Sequence, residues 1–223
     1  MPFIVGIDGV AGSGKGTVTK ILAKKHNLIN IDTGITYRCV AKAMLDNNVS
    51  LEDKEDIIKL SKEIKIEILN KNGEQVVLLN DIDVTKEIRS KEVTQIVSQA
   101  SSIKEVRYNM VDVQRKMAEG KDIIMEGRDI CTYVFPNADV KIYLDATVGE
   151  RAKRRYKENQ EKGIQMSYEE ILENIKLRDY NDMHKEIGSL KITQDSVVID
   201  TTNMSIDEVV QKISDVIDKK RGK

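Results

Sequence analysis

The segment from Gly9 to Thr17 limits most strongly what this chain can fold into. It reads GVAGSGKGT, follows the apolar run Phe3 to Asp8, and precedes apolar residues at helical spacing from Val18 onward. A strand, a glycine-rich loop and a helix in this order are the context that a phosphate-binding loop requires. Glycines let backbone N–H groups curl around a polyphosphate, and the positive end of the helix dipole faces it. The predicted loop residues are Gly9, Val10, Ala11, Gly12, Ser13, Gly14, Lys15, Gly16 and Thr17. A glycine turn followed by a surface lysine is the less favoured interpretation.

Two residues of this loop have predicted chemical roles. Lys15 supplies a mobile positive charge that can reach the β- and γ-phosphates of a nucleotide. The usual motif has Ser or Thr directly after the lysine, whereas here Gly16 intervenes and Thr17 follows. This GKGT ending resembles the nucleoside monophosphate kinases, in which the loop holds ATP and a second nucleotide accepts the phosphoryl group. We therefore predict Thr17 as the hydroxyl beside Mg²⁺, with Asp32 acting on the metal through a water molecule.

Composition excludes several other classes of protein. With 223 residues, 36 basic and 37 acidic side chains and a formal net charge of -1, the chain has no global basic field for nucleic acid or an anionic membrane. Cys39 and Cys131 are far apart and there are only two histidines, which argues against a zinc site. Because the first residues already read as a strand, we expect no leader, and no apolar run reaches membrane-spanning length. We expect a monomer in a reducing cytoplasm, bound to neither nucleic acid nor a membrane.

Apolar runs predict an α/β fold with a parallel sheet core flanked by helices. They cover residues 28–32, 122–125, 140–145 and 197–200, in addition to the first strand. From about Leu51 the pattern changes to alternating residues at 64–68, a turn at Asn72-Gly73, a strand at 76–79 and a possible third strand at 81–85. We predict one P-loop kinase domain over 1–223, an inserted acceptor-binding lobe at about 36–108 with this small antiparallel sheet, and a short helical lid at about 150–166.

Three sequence pairs indicate where helices begin. Ser167 with Glu170 and Ser205 with Glu208 have the spacing of a capping box. Ser50, with an acid three residues later, is a further predicted helix start.

Charged and hydroxyl residues follow two predicted strands at their carboxyl ends, where α/β proteins bind ligands. Asp32 is followed by Thr33, and Arg38 lies one turn into the next helix, where a guanidinium could grip a phosphate in two places. Taken alone, Arg38 would be a solvated helix residue. The predicted strand at 122–125 leads into Glu126-Gly127-Arg128-Asp129. The predicted strand at 140–145 ends in Asp145, which fits either a Walker-B acid or a simple strand-end cap.

Two helical segments carry dense charge. Arg151, Arg154 and Arg155 share a helix face by their spacing, and either a solvated face or a lid over the phosphates explains them. Arg178, Asp182 and Lys185 are likewise four and three residues apart, so a salt-bridged helix surface competes with a ligand-binding role.

Six motifs in this order, GVAGSGKGT, DTGITYR, EGRDICTYVFP, VKIYLDA, ERAKRRY and RDYNDMHK, resemble the bacterial cytidylate kinases over nearly the whole chain. The resemblance implies transfer of the γ-phosphoryl group of Mg²⁺-bound ATP to CMP or dCMP in pyrimidine nucleotide metabolism. It implies that Gly9 to Thr17 bind ATP. It implies acceptor-phosphate binding by Thr33, Arg38 and Arg128, cytosine reading by Ser98, Arg107 and Asp129, and sugar binding by Arg178 and Asp182, with Lys185 beside them. Charge on the transferred group would be neutralised by Lys15, Arg128, Arg151, Arg154 and Arg155.

The chain departs from the family pattern at three positions. Cys131 replaces the usual glycine, Tyr133 an aliphatic residue, and Lys185 an arginine, so that its charge is kept but the planar fork is lost. Two alternatives remain: a kinase for another small acceptor, and a nucleotide-binding switch or nucleic-acid partner without catalysis. The paired arginines at 38 and 128 favour an acceptor that already bears a phosphate.

Overall fold

A computed structural model describes residues 2–71, 74–161 and 163–222. The predicted Asn72-Gly73 turn lies outside these residues. In chain order the elements are β1 (Ile4–Gly9), α1 (Lys15–His26), β2 (Ile29–Asp32), α2 (Thr33–Asp46), α3 (Lys54–Glu63), β3 (Ile66–Lys71), β4 (Glu74–Leu79), β5 (Ile82–Asp83), α4 (Lys91–Ala100), α5 (Lys104–Ala118), β6 (Ile123–Gly127), β7 (Val140–Asp145), α6 (Val148–Glu161), α7 (Tyr168–Met183), β8 (Val197–Asp200) and α8 (Ile206–Arg221).

The chain divides into two compact units, residues 1–31 with 118–223, and residues 32–117. The first contains the main sheet, with strand order β2-β6-β1-β7-β8. The pairs β1–β6, β1–β7 and β7–β8 are parallel. Val5 and Ile7 of the central strand are fully buried, because helices cover a parallel sheet on both faces. The predicted parallel α/β core is confirmed.

Strand register determines which loops are neighbours at the carboxyl edge of this sheet. Asp8 is opposite Gly127 on β6 and opposite Tyr143 on β7. The loop after β1 and the segment after β6 therefore leave the sheet side by side. This edge is where parallel α/β sheets place their ligands.

The second unit has its own hydrophobic core and its own sheet. Strands β3, β4 and β5 form an antiparallel sheet, which confirms the predicted hairpin and third strand. Helices α2 to α5 accompany it, and the core includes Met44, Ile57, Ile88 and Met110, all fully buried. The unit contains the whole 36–108 segment, whose acceptor-binding role stays a prediction.

Helix starts follow the sequence signals in two of three cases. Both predicted capping boxes are present, at Ser167–Glu170 and Ser205–Glu208. The Ser50 prediction is wrong: α3 begins at Lys54 after Asp53, which makes no side-chain capping bond among the described residues. The hydroxyl of Ser50 is instead bonded to the carboxylate of Glu52.

No helix in the described ranges has both the length and the apolar character needed to cross a bilayer.

Candidate active site

The phosphate loop is shaped by glycines at its two ends. Gly14 has φ 88° and immediately precedes α1, a backbone conformation that favours glycine. At the other end, a Cβ on Gly9 would overlap the carbonyl oxygen of Leu144 on β7. The hydroxyl of Ser13 donates to Val10 O at 3.0 Å across the turn. The loop therefore closes directly in front of the N-terminus of α1, where unpaired helix N–H groups bind anions.

Lys15 lies folded along this loop with only 6% of its surface exposed. Its Nζ donates to Gly9 O and Val10 O, both at 2.7 Å, and to Ser13 Oγ at 3.3 Å. Burial has the largest effect on the pKa of Lys15, followed by the nearby Arg128 guanidinium, and both lower it well below the ordinary lysine value. The Glu126 carboxylate acts in the opposite direction. The ammonium group is thus held at the centre of the loop by backbone carbonyls.

Glu126 supports the loop from β6, although sequence reasoning did not select it. Its carboxylate accepts a 2.9 Å hydrogen bond from Thr19 Oγ1 on α1. A Cβ on Gly16 would lie 3.4 Å from Glu126 Oε1. The buried Glu126 carboxylate therefore lies directly beside Gly16, within van der Waals distance of a Cβ at that position. Its place at a strand end was the one sequence signal that could have identified it.

Arg128, two residues further on, belongs to a cluster around the buried Asp182 of α7, together with Arg178 of that helix and Lys185 just after it. Its Nε donates to Asp182 Oδ2 at 2.8 Å, and Lys185 Nζ donates to Asp182 Oδ1 at 2.9 Å. Arg178 Nε is 3.9 Å from the same carboxylate. Burial alone would raise the pKa of the Asp182 carboxyl. The positive charges of Arg128, Lys185 and Arg178 together have the larger effect and hold this pKa below the usual range. A solvated helix surface does not describe this group, since Asp182 is 4% exposed.

Asp182→Asn is expected to lower the free energy of unfolding by about 3 kcal/mol at pH 7, because Arg128 and Lys185, whose side chains are largely buried, lose their counter-charge. The carboxyl ionises near pH 3.9 when unfolded and at lower pH when folded, so its stabilisation is full above about pH 4 and is lost as pH falls through the folded pKa. The deficit should therefore shrink in acid. Urea unfolding at pH 7 and pH 3 measures it.

Glu173→Gln on the same helix is the matched control. Glu173 pairs with Lys176 at 2.7 Å in an exposed position, so its loss should cost no more than about 1 kcal/mol. Equal losses in the two variants would contradict the buried-cluster interpretation.

Asp129 immediately precedes a short π-helical turn over residues 130–134 that sequence patterns did not predict. The N–H of Phe135 bonds to Ile130 O at 2.7 Å, and the N–H of Val134 bonds to Asp129 O at 3.0 Å. Asp129 is 3% exposed. π-Helical turns of this kind occur frequently at functional sites.

Asp8, at the end of β1, anchors this turn. Its carboxylate accepts from the N–H groups of Ile130 and Cys131, both at 2.8 Å. Burial raises its pKa to about 6, although the two N–H groups act in the opposite direction. One carboxylate therefore ties the strand before the phosphate loop to the segment that carries Arg128 and Asp129.

Cys131 fills a tight space against the same strand. A Cβ on Gly6 would lie 2.9 Å from its Sγ. Burial, followed by the charge of Asp8, raises the pKa of this thiol, so it remains protonated at neutral pH. In the described chain Cys131 and Cys39 are both buried free cysteines. The departure from the family glycine is thus accommodated by packing.

The three arginines of α6 have three different environments. Arg151 is buried and contacts Asp179, whereas Arg154 bonds to Glu150 and to the carbonyl of Thr201 at 2.6 Å. Arg155 is exposed and pairs with Glu158. Although their spacing predicts one shared face, the three arginines therefore make different contacts, and a lid role for the segment stays a prediction.

Asp145, at the end of β7, accepts a hydrogen bond from the N–H of Ala146 at 2.9 Å, as a strand-end cap does.

The predicted acceptor residues of the second unit are also ordered by local contacts. Arg38 NH1 donates to Ile88 O and to Thr94 Oγ1, both at 3.0 Å. Arg107, 2% exposed, donates to Ser101 O at 3.1 Å and lies 5.2 Å above the ring of Tyr37. The carbonyl of Ser98 accepts from the Ser101 hydroxyl at 3.0 Å. Arg107 is thus oriented next to the turn that follows Ser98.

Thr33 and Asp32 lie at the start of α2. Thr33 is buried, and its carbonyl accepts from Thr36 Oγ1 at 2.8 Å. Thr36 in turn accepts from Gln114 at 2.9 Å. Asp32 is the helix N-cap and accepts from the Gly34 N–H at 2.9 Å.

The donor set suits a magnesium ion carried by a nucleotide. Thr17 is an exposed hydroxyl residue in the first turn of α1. Across the described ranges no group of three or more His, Cys, Asp or Glu residues could hold a metal ion. Mg²⁺ in phosphoryl-transfer sites keeps several waters and takes further oxygen ligands from the substrate phosphates. A single protein hydroxyl beside the loop fits that arrangement.

A glycine loop at the carboxyl edge of a parallel sheet, with its lysine and adjacent arginine, defines a P-loop kinase. The crystal structure of an uncharacterized protein from Eubacterium ventriosum has the same fold, with a TM-score of 0.53 at 13% sequence identity, covering 98% of this chain and 99% of that one.

Sequence comparisons identify the family. The cytidylate kinase family model matches residues 5–219. Cytidylate kinases from Lactobacillus gasseri, Caldicellulosiruptor saccharolyticus and Bacillus subtilis are 48%, 45% and 44% identical to this chain. The alignments cover 97%, 98% and 97% of this chain and 94%, 96% and 96% of the relatives, respectively. The chain belongs to the cytidylate kinase family, whose members are ATP-dependent phosphotransferases, and the resemblance inferred from its motifs is confirmed.

Proposed function

We propose that this protein transfers the γ-phosphoryl group of Mg²⁺-bound ATP to CMP or dCMP, giving ADP and CDP or dCDP. The observation that carries the proposal is the pairing of β1 with β6, which sets the Lys15 loop beside Arg128 and Asp129. One element then holds the donor phosphates, and the adjacent one offers a guanidinium for phosphate and a carboxylate for a base. The family match over residues 5–219 supports the same acceptor.

The reaction needs positioning and charge neutralisation more than a strong base, since a phosphate dianion is already nucleophilic. Gly9 to Thr17 would hold the ATP phosphates, with Lys15 at the β- and γ-phosphates. Arg128, oriented by Asp182, would bind the acceptor phosphate together with Thr33 and Arg38. The arginines of α6, in particular Arg154 and Arg155, would lie near the transferred group when the predicted lid closes. Closure would also exclude water and so prevent wasteful hydrolysis of ATP.

Cytosine recognition follows from hydrogen-bonding chemistry. Cytosine offers an amino donor at position 4 and acceptors at N3 and O2. A carboxylate accepts from the amino group, as acids do when they read cytosine in nucleic acids. Asp129 would fill that role, while Arg107 and Ser98 would donate to the acceptors. Arg178 and Asp182 would contact the sugar, and Lys185 would support Asp182.

Magnesium would be bound with ATP. Thr17 would contribute its hydroxyl, and Asp32 would act through a water molecule. The ion would supply neutralisation of the β- and γ-phosphate charge.

The test is ADP formation from Mg-ATP with CMP, dCMP, UMP, AMP, GMP and dTMP offered separately. Turnover with CMP and dCMP alone is expected. Turnover with a different acceptor would retain the phosphate-binding residues but overturn the roles of Ser98, Arg107 and Asp129. Absence of turnover with every acceptor would favour the non-catalytic nucleotide-binding alternative, for which salt-dependent binding to DNA or RNA is the second measurement. A cytoplasmic monomer without nucleic-acid or membrane partners remains our prediction.

A further inference from the structure

Arg151 has all three guanidinium nitrogens engaged by groups within the protein. Nε donates to Ala146 O at 2.9 Å, at the end of β7, and NH1 donates to Ala11 O at 3.0 Å, in the phosphate loop. NH2 is 2.6 Å from Asp179 Oδ2 on α7. The residue is 2% exposed. A planar fork with three partners in three segments fixes the distances between those segments.

The base of the Arg151 side chain also lies close to the loop. A Cβ on Gly12, the residue after Ala11, would lie 3.3 Å from the Cβ of Arg151. Gly12 has φ 80°, a conformation that glycine adopts readily. Gly12, in the middle of the loop, therefore packs close to the first carbons of the Arg151 side chain.

Asp179 supplies the negative charge that balances the buried guanidinium of Arg151. A buried guanidinium without a counter-charge is strongly unfavourable, and Asp179 is the carboxylate that Arg151 contacts. Arg178 and Asp182, which lie near Asp179 on α7, belong instead to the cluster around Arg128. Consecutive residues of one helix thus support two separate parts of the site.

We propose that Arg151, held by Asp179, is a positioning residue that sets the backbone conformation of the phosphate loop. This assignment replaces the predicted role of Arg151 as a lid arginine that contacts the transferred phosphate. It rests on the proposed function only in that the loop binds nucleotide. Arg154 and Arg155 are the remaining candidates on α6 for contact with phosphate.

The test compares Asp179→Asn and Arg151→Lys with Glu158→Gln as a matched control. Asparagine keeps the size of Asp179 and an oxygen that can accept from Arg151, and lysine keeps the charge but reaches fewer of the three partners. Glu158 is exposed and pairs with Arg155 on the same helix. Three quantities are measured: amide hydrogen exchange of peptides covering residues 9–18 without nucleotide, the Kd for ADP, and kcat at saturating substrates.

For both site variants we expect loop amide exchange about tenfold faster than in the wild type and an ADP Kd about tenfold weaker, in line with the loss of a charged hydrogen bond. The value of kcat should change less than these two quantities. The Glu158→Gln control should show the same loop amide exchange as the wild type. Unchanged exchange and Kd with a large loss of kcat would overturn the proposal and restore the lid role. Because exchange and ADP binding require no acceptor, a failure to phosphorylate CMP would not affect this test.

Discussion

Replacing Lys15 with alanine is expected to lower kcat for ADP formation by about 10²- to 10³-fold or more, the loss typical of removing one donor that stabilises transition-state charge. The residue is held by Gly9 O and Val10 O, so its ammonium group already lies within the loop that would hold the donor phosphates. Its positive charge is also disfavoured by the surroundings, because burial and Arg128 both lower the pKa of Lys15. The substitution should therefore leave the fold intact.

The measurement is steady-state turnover with CMP together with urea unfolding. Lys20→Ala is the matched control, because Lys20 lies on the same helix and is exposed. The control should retain full activity. A folded Lys15→Ala protein with nearly normal turnover would show that the loop lysine has no part in phosphoryl transfer.

Asp129→Ala is expected to reduce kcat/KM for CMP far more than for UMP. A site of buried hydrogen bonds can discriminate between such partners by roughly 10⁴-fold, since the wrong base leaves a buried polar group unpaired. Uracil presents a carbonyl oxygen where cytosine has its amino group, so the wild-type carboxylate repels it. Removing the carboxylate abolishes both the attraction and the repulsion, and the CMP/UMP ratio should fall toward one.

Asp129→Asn gives a sharper comparison. An amide offers both an acceptor and a donor, so it can face either base, and it preserves the volume of the buried side chain. We expect higher UMP activity in Asp129→Asn than in the wild type, measured as kcat/KM for both acceptors at one ATP concentration. Equal proportional losses on CMP and UMP in both variants would remove Asp129 from base recognition.

Predictions that depend on local patterns agree well with the structure. The strands at 140–145 and 197–200 coincide with β7 and β8, and the capping boxes at Ser167 and Ser205 are present. Such signals involve residues within a few positions of one another, so the sequence displays them directly. The Ser50 start is the exception, since α3 begins at Lys54 after Asp53 and the Ser50 hydroxyl bonds to the Glu52 carboxylate.

Predictions about side-chain partners were weaker, because those partners are distant along the chain. Arg128 and Asp182 are 54 residues apart, and Arg151 reaches Ala11 across 140 residues. Spacing alone placed Arg151, Arg154 and Arg155 on one face, but only packing distinguishes the buried Arg151 from the exposed Arg155. Glu126 and Asp8 were not predicted as site residues for the same reason, because their partners are also distant along the chain.

The sequence by itself determined the phosphate loop, the parallel α/β core and the family, because a glycine loop between a strand and a helix has few other uses. Tertiary structure alone decided which charges are buried and what they contact. The register that places Asp8 opposite Gly127 brings the loop beside Arg128 and Asp129. Burial then turns ordinary charged residues into fixed pairs, since a charge removed from water must find a partner.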